Sequence, residues 1–92
     1  MAAKPQILSD SDVDQTLRAL LAEVLGLAPE RVAGFSAETE LFGALPEFDS
    51  MAVANLLTGI EERFDVLVED SDVEAEDFAT YGALIAFVGR LL

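Results

Sequence analysis

The sequence predicts an all-α fold: a small irregular four-helix bundle with one long ordered loop between its first and second long helices. Three observations predict it. Apolar residues recur at helical spacing in three separate stretches, no stretch alternates as a strand would, and 92 residues with 52% apolar content suit one core and not two.

The first helix is expected over residues 11 to 25. Val13, Leu17, Leu20, Leu21, Val24 and Leu25 fall on one stripe, Ser9, Asp10, Ser11 and Asp12 offer capping oxygens and first-turn negative charge, and Gly26 ends the run. Residues 1 to 8, with Pro5 and no periodic pattern, read as a loose lead-in to a single domain spanning residues 9 to 92.

Between Leu27 and Asp49 the chain holds Pro29, Gly34, Gly43 and Pro46, which break helices, alongside Val32, Phe35, Leu41, Phe42, Leu45 and Phe48. A connection of that length is usually functional or disordered, and this many large apolar side chains favour an ordered one packed across the helix ends. Short helical turns fit near Pro29 to Val32 and Thr39 to Phe42. The second long helix is expected from Ser50 to Phe64, with Met51, Ala54, Leu57, Ile60 (or Glu61) and Phe64 on its stripe and Val53 and Leu56 widening it.

Asp65 and the following "VLVE" break that pattern. The acidic run Glu69 to Asp77 is too short and too charged for a long helix, so one short helix is expected around Val73 to Phe78. Thr80 then caps the last helix, whose buried face is Leu84, Ile85, Val88 and Leu91 or Leu92, with Tyr81.

Composition excludes much chemistry. The chain has neither cysteine nor histidine, so thiolate catalysis, disulfides, the usual zinc sites and imidazole acid-base catalysis have no residues to use. Eighteen acids against five bases give a formal charge of −13. Such a field repels phosphate backbones and anionic membranes and attracts basic protein surfaces. The N-terminal "MAAKPQILSDSD" lacks the apolar core of a signal peptide and no later run is long enough to span a bilayer, so a cytoplasmic location is expected.

Two acidic runs resemble calcium loops and fail on inspection. "DSDVD" at residues 10 to 14 is followed by Gln15 at the sixth position and Leu21 at the twelfth, and "DSDVEAED" at residues 70 to 77 has Ala75 and Tyr81 there, where glycine and glutamate are needed. The pairs Glu61/Glu62 and Asp70/Asp72 lack the cleft and nucleophile that acid-base work requires, so a solvated face explains them better.

Ser50 stands apart from the other serines. As a helix starter it would serve as an N-cap. An exposed hydroxyl at that place also suits a phosphodiester, because free backbone N–H groups and the helix dipole favour a phosphate, and Phe48 and Met51 add apolar surface beside it.

Asp49-Ser50-Met51, midway along a small acidic helical chain, resembles the serine motif of the acyl carrier proteins. The resemblance runs from about Asp12 to Leu92: through "LFGALPEFDSMAVANLLTGIEERFDVLVE", whose "IEERFDV" matches the family's end-of-helix pattern, then "DVEAEDFAT" and the last helix from Thr80. It implies a monomeric carrier and no enzyme. A phosphopantetheinyl transferase would use coenzyme A and magnesium to join 4′-phosphopantetheine to Ser50, with Asp49 and Met51 flanking the attachment. The arm's thiol would hold acyl groups as thioesters, and Leu45, Val53, Leu57, Ile60 and Phe64 would line an acyl slot. Asp49, Glu61, Glu62 and Asp65 would meet basic docking patches on acyl-loading and acyl-transferring enzymes.

The chain departs from the family pattern at Ala52 and Asn55, where acids are usual, and at Glu47, where glycine is common. Those departures suggest a dedicated carrier for a specialised pathway more than the fatty-acid carrier. A peptidyl or aminoacyl carrier is the alternative within the fold, and an unmodified acidic interaction module is the alternative outside it.

Overall fold

The computed structural model describes residues 10–92, so the expected lead-in over residues 1 to 8 and the Ser9 cap lie outside the described residues. The first helix, α1 (Asp10–Leu25), buries Val13, Leu17, Leu20, Leu21 and Leu25 of the expected stripe, with Val24 half-buried beside them. Gly26 ends it at φ +68°, a conformation that suits glycine, and the Leu27 N–H closes the turn on the Ala22 carbonyl at 3.0 Å. A single short helix, α2 (Pro29–Ala33), opens on Pro29, whose fixed φ fits the first helical turn, and buries Val32. Arg18 ties α2 back to α1 by donating from Nη1 to the Val32 carbonyl at 2.7 Å.

The loop that follows is ordered and packed, with Phe35, Leu41 and Phe48 buried. The helical turn expected at Thr39 to Phe42 is absent. Glu40 forms an isolated antiparallel bridge with Thr80 instead, and the Leu41 and Phe42 N–H groups donate to the Ala79 and Phe78 carbonyls at 2.9 and 3.0 Å. In the other direction, the N–H groups of Tyr81 and Gly82 donate to the Thr39 and Ala37 carbonyls, both at 2.9 Å. This stretch thus satisfies backbone groups at the start of the last helix that have no partner inside that helix, which holds it extended. The turn comes slightly later, where the N–H groups of Ala44 and Leu45 donate to the Leu41 carbonyl.

The second long helix, α3 (Ser50–Phe64), has the expected bounds, but its buried face is rotated from the expected stripe. Ala52, Leu56, Gly59, Ile60 and Phe64 are buried, whereas Met51 is 72% exposed and Ala54 is exposed. Gly59 explains the rotation. A Cβ built there would lie 2.5 Å from Leu20 Cδ1, so the missing side chain is what lets α1 approach α3 on this face.

Asp65 leaves the helix in a left-handed conformation at φ 55°. The single short helix expected around Val73 to Phe78 is a 3-10 turn over Ala75–Phe78, and a second 3-10 turn, Asp70–Asp72, precedes it with Val73 extended between them. The acids divide the two turns. Asp72 Oδ2 accepts from the Glu69 N–H at 3.3 Å and Asp77 Oδ2 from the Glu74 N–H at 2.9 Å, so each turn starts on its own cap.

The last helix, α4 (Tyr81–Leu91), begins on the expected Thr80 cap, whose Oγ1 accepts from the Ala83 N–H at 3.1 Å. Tyr81, Leu84 and Val88 are buried as expected, Ile85 and Leu91 are half-buried, and Leu92 is exposed. Phe87, outside the expected face, is buried against Phe78 with ring centroids 5.8 Å apart. The described residues are thus all-helical around one core, with α1 packed against α2, α3 and α4.

Candidate functional site

The start of α3 resolves which residue caps the helix. Asp49 is the cap: its backbone is extended, and its Oδ1 accepts from the Ala52 N–H at 2.9 Å while its carbonyl accepts from the Val53 N–H at 3.0 Å. Ser50 is the first helical residue, exposed, and its hydroxyl makes no hydrogen bond among the described residues. The capping role that the sequence assigned to Ser50 belongs to Asp49, which leaves the Ser50 hydroxyl available. The N–H groups of Ser50 and Met51 precede those that Asp49 occupies and have no acceptor within the helix, so the positive end of α3 faces the same place.

Beside that hydroxyl lies a cleft of about 240 Å³ lined by Phe42, Ser50, Val53, Val73, Glu74, Ala75 and Phe78. Three elements build it. Phe42 comes from the long loop, Ser50 and Val53 from the first turn of α3, and the remaining wall is the second 3-10 turn with Val73 and Glu74 just before it. Two of the lining rings pack edge-on against the buried Phe48, Phe42 at 5.9 Å and Phe78 at 6.2 Å. Apart from Ser50 and Glu74 the lining is apolar.

Of the five expected slot residues, Val53 alone lines this cleft. Leu45 and Leu57 are half-buried against the core, and Ile60 and Phe64, at 0% and 5% exposure, are core residues. Sequence reading missed Phe42, Val73, Glu74, Ala75 and Phe78 as lining residues. Phe42 and Phe78 were visible as large apolar residues, but nothing local in the chain says that they come together beside the start of α3.

The expected partner-facing acids do not form one cluster. Asp49 stands at the start of α3, while Glu61, Glu62 and Asp65 stand at its far end, about 20 Å away at 1.5 Å per residue. Glu61 is half-buried and its Oε2 accepts from the Val68 N–H at 2.9 Å, which fixes the extended segment after the helix. Glu62 and Asp65 are exposed. Between the two ends the outer face of α3 is uncharged: Met51, Ala54, Asn55 and Thr58 are exposed there. Ala52, one of the two helix positions where the sequence departs from the resemblance's acidic pattern, is buried at 5% exposure. Glu47 lies 3.5 Å from Arg31, an exposed ion pair just before the site.

A phosphodiester fits these residues. The hydroxyl is exposed and unengaged, free N–H groups at a helix start stand behind it, and an apolar cleft opens alongside.

A family model described as the phosphopantetheine attachment site matches residues 15–88. The chain is 26% identical over 84 residues to an acyl carrier protein of Akkermansia muciniphila, covering 91% of this chain and 98% of that one. It is 33% identical over 72 residues to an acyl carrier protein of a Sulfurovum species, covering 78% and 88%. Among solved structures it resembles the solution structure of a holo acyl carrier protein from Nitrosomonas europaea, with a TM-score of 0.75 and 41% identity over 85% of this chain and 92% of that one.

Proposed function

The chain belongs to the acyl carrier protein family, whose members carry 4′-phosphopantetheine covalently, and on that premise we propose that Ser50 is the attachment residue and that the protein presents acyl thioesters to partner enzymes as a carrier and not as a catalyst. One observation carries the assignment: the cap of α3 is Asp49, so Ser50 keeps an unengaged, exposed hydroxyl at the mouth of an apolar cleft. In the modification, Ser50 Oγ attacks the β-phosphorus of coenzyme A as its proton leaves, a new O–P bond forms, and the pyrophosphate bond breaks to release adenosine 3′,5′-bisphosphate. When bound, the arm supplies the thiol that a chain without cysteine lacks.

Partners are a phosphopantetheinyl transferase and acyl-loading and acyl-transferring enzymes with basic docking patches. Charge supports this reading. All four described arginines are in ion pairs, Arg18 with Asp14, Arg31 with Glu47, Arg63 with Glu23 and Arg90 with Asp77, so the surface left for a partner is dominated by acids. The uncharged outer face of α3 at Met51, Ala54, Asn55 and Thr58 supports a specialised partner set, because beyond Asp49 a partner meets no charge along that face until the far end of the helix. We place the carrier in the cytoplasm as a monomer.

Intact-mass measurement after incubation with coenzyme A, magnesium and a broad-specificity transferase tests the attachment. A phosphopantetheine adduct is expected on the wild type and none on Ser50→Ala, whose helical circular dichroism should persist because Asp49 still caps α3. No adduct with several transferases would leave the unmodified interaction module as the better reading. Identifying the thioester on protein from its own host names the cargo and separates acyl from aminoacyl carriers.

A further inference from the structure

Of the four described arginines, Arg31 alone pairs with the segment that leads into Ser50. It stands in the last turn of α2, and its Nη1 lies 3.5 Å from Glu47 Oε2. Glu47 precedes Ser50 by three residues, at most about 11 Å of chain. The other three arginines pair with Asp14, Glu23 and Asp77, none of which belongs to that segment.

The pair is not what shapes the segment. Both side chains are exposed, at 49% and 36%, and a single exposed contact of this length contributes little to stability. Other bonds hold the chain there: Phe48 is buried and its N–H donates to the Leu45 carbonyl at 3.0 Å, and Asp49 caps α3. What Arg31 changes is charge. Three acids stand close to Ser50: Asp49 next to it, Glu47, and Glu74 in the wall of the same cleft. Arg31 offsets one of them. Ala52 and Asn55 add none along the helix, and the far-end acids Glu62 and Asp65 begin about 18 Å from Ser50, beyond the roughly 8 Å over which exposed charges act at physiological salt. The field that a partner meets at the serine therefore turns on a few local charges.

We propose that Arg31 is a specificity-determining residue for the modification of Ser50: by offsetting Glu47 it weakens the negative field beside the serine, and so disfavours a transferase that closes a basic patch over the loop before α3. The inference rests on the attachment at Ser50 proposed above. Arg31 touches no reacting atom. It acts on the encounter, so it governs the concentration of carrier needed and not the chemical step.

The test is the rate of adduct formation, by intact mass, with coenzyme A, magnesium and a transferase whose docking patch is basic, as a function of carrier concentration. Arg31→Gln should lower the KM for the carrier about two- to threefold at low salt, the size of one unit charge acting across about 8 Å of water. Glu47→Gln leaves Arg31 unopposed and should raise it by a similar factor. The double variant removes both charges and should return close to the wild type, as should Arg31→Lys, while kcat and the KM for coenzyme A stay unchanged throughout. The differences should be largest near 0.01 M salt, where screening extends to about 30 Å, and shrink near about 0.15 M. Circular dichroism and Tm should match the wild type in every variant, because the pair is exposed. Single variants that shift KM in the same direction overturn the proposal in favour of a loop-shaping role, and identical KM values at low salt overturn it in favour of an ordinary solvated ion pair; in both cases the Ser50 assignment stands. Absence of any adduct on the wild type overturns both readings.

Discussion

The Tyr81 hydroxyl donates to Asp14 Oδ1 at 2.6 Å, joining the start of α4 to α1 across 67 residues of chain. Arg18 completes the group. Its Nε donates to the same carboxylate at 2.9 Å, and its guanidinium lies 4.6 Å from the centre of the Tyr81 ring. The hydrogen bond from Tyr81 holds the Asp14 carboxyl below its ordinary range, with Arg18 adding to the effect against a partial opposing cost of burial. Burial, and then the bond to Asp14, push the Tyr81 phenol well above its ordinary value.

Removing that hydroxyl should therefore cost stability in a pH-dependent way. Because the folded-state value of Asp14 is depressed, its contribution is present above the ordinary carboxylate value near 4 and is lost as pH falls below it. Tyr81→Phe is expected to lose about 1 to 2 kcal/mol at pH 7, a drop of several degrees in Tm. Urea unfolding of both proteins at pH 7 and pH 3 checks this: the gap between them should shrink at pH 3, and a constant gap would show that the ionised carboxylate is not what the hydroxyl stabilises.

Asp49 and Ser50 should separate by what each substitution changes. Asp49→Ala removes the acceptor for the Ala52 N–H and should cost about 1 kcal/mol. Ser50→Ala removes no hydrogen bond and should leave Tm within the small range of an exposed substitution. Thermal melts of the two variants would contradict the cap assignment if Ser50→Ala proved the more damaging.

Gly82 tests the seam between the long loop and α4. A Cβ there would meet the Ala37 carbonyl oxygen at 2.9 Å and Ala37 Cβ at 3.0 Å, and the backbone it strikes is held by the Gly82 N–H bond to that same carbonyl. Gly82→Ala gains up to about 1 kcal/mol of helix propensity. Overpacking of about 1 to 3 kcal/mol should outweigh it, and faster hydrogen exchange at the Leu41 and Tyr81 amides, which belong to the same seam, should accompany the lower Tm.

Glu61 and Glu62 should not behave alike. Glu62→Lys changes an exposed charge and is expected to weaken a loading enzyme's binding, with the loss fading as salt rises, while Tm stays near the wild-type value. Glu61→Lys also removes the acceptor for the Val68 N–H, so it should cost about 1 kcal/mol of stability besides. Binding titrations at two salt concentrations, paired with melts, distinguish docking from loop anchoring.

Much of this molecule is local in origin and therefore legible in its sequence. Helical periodicity places α1 and the bounds of α3, Thr80 announces the start of α4, and Ser50 stands out because a serine at a helix start beside apolar residues is readable from neighbours in the chain. Tertiary contacts decided the rest. A stripe read from apolar residues alone put Met51 inward, but with the close approach of Leu20 over Gly59 it is Ala52 that joins the expected Leu56 in the core while Met51 faces water. The extended stretch at Glu40 follows from backbone partners at residues 78 to 82, and the cleft exists because Phe42, Val53 and Phe78, far apart in sequence, meet beside Ser50. Periodicity states which residues can share a face; only the partner elements, through contact distance and unpaired backbone groups, determine which face is buried and what lies next to the serine.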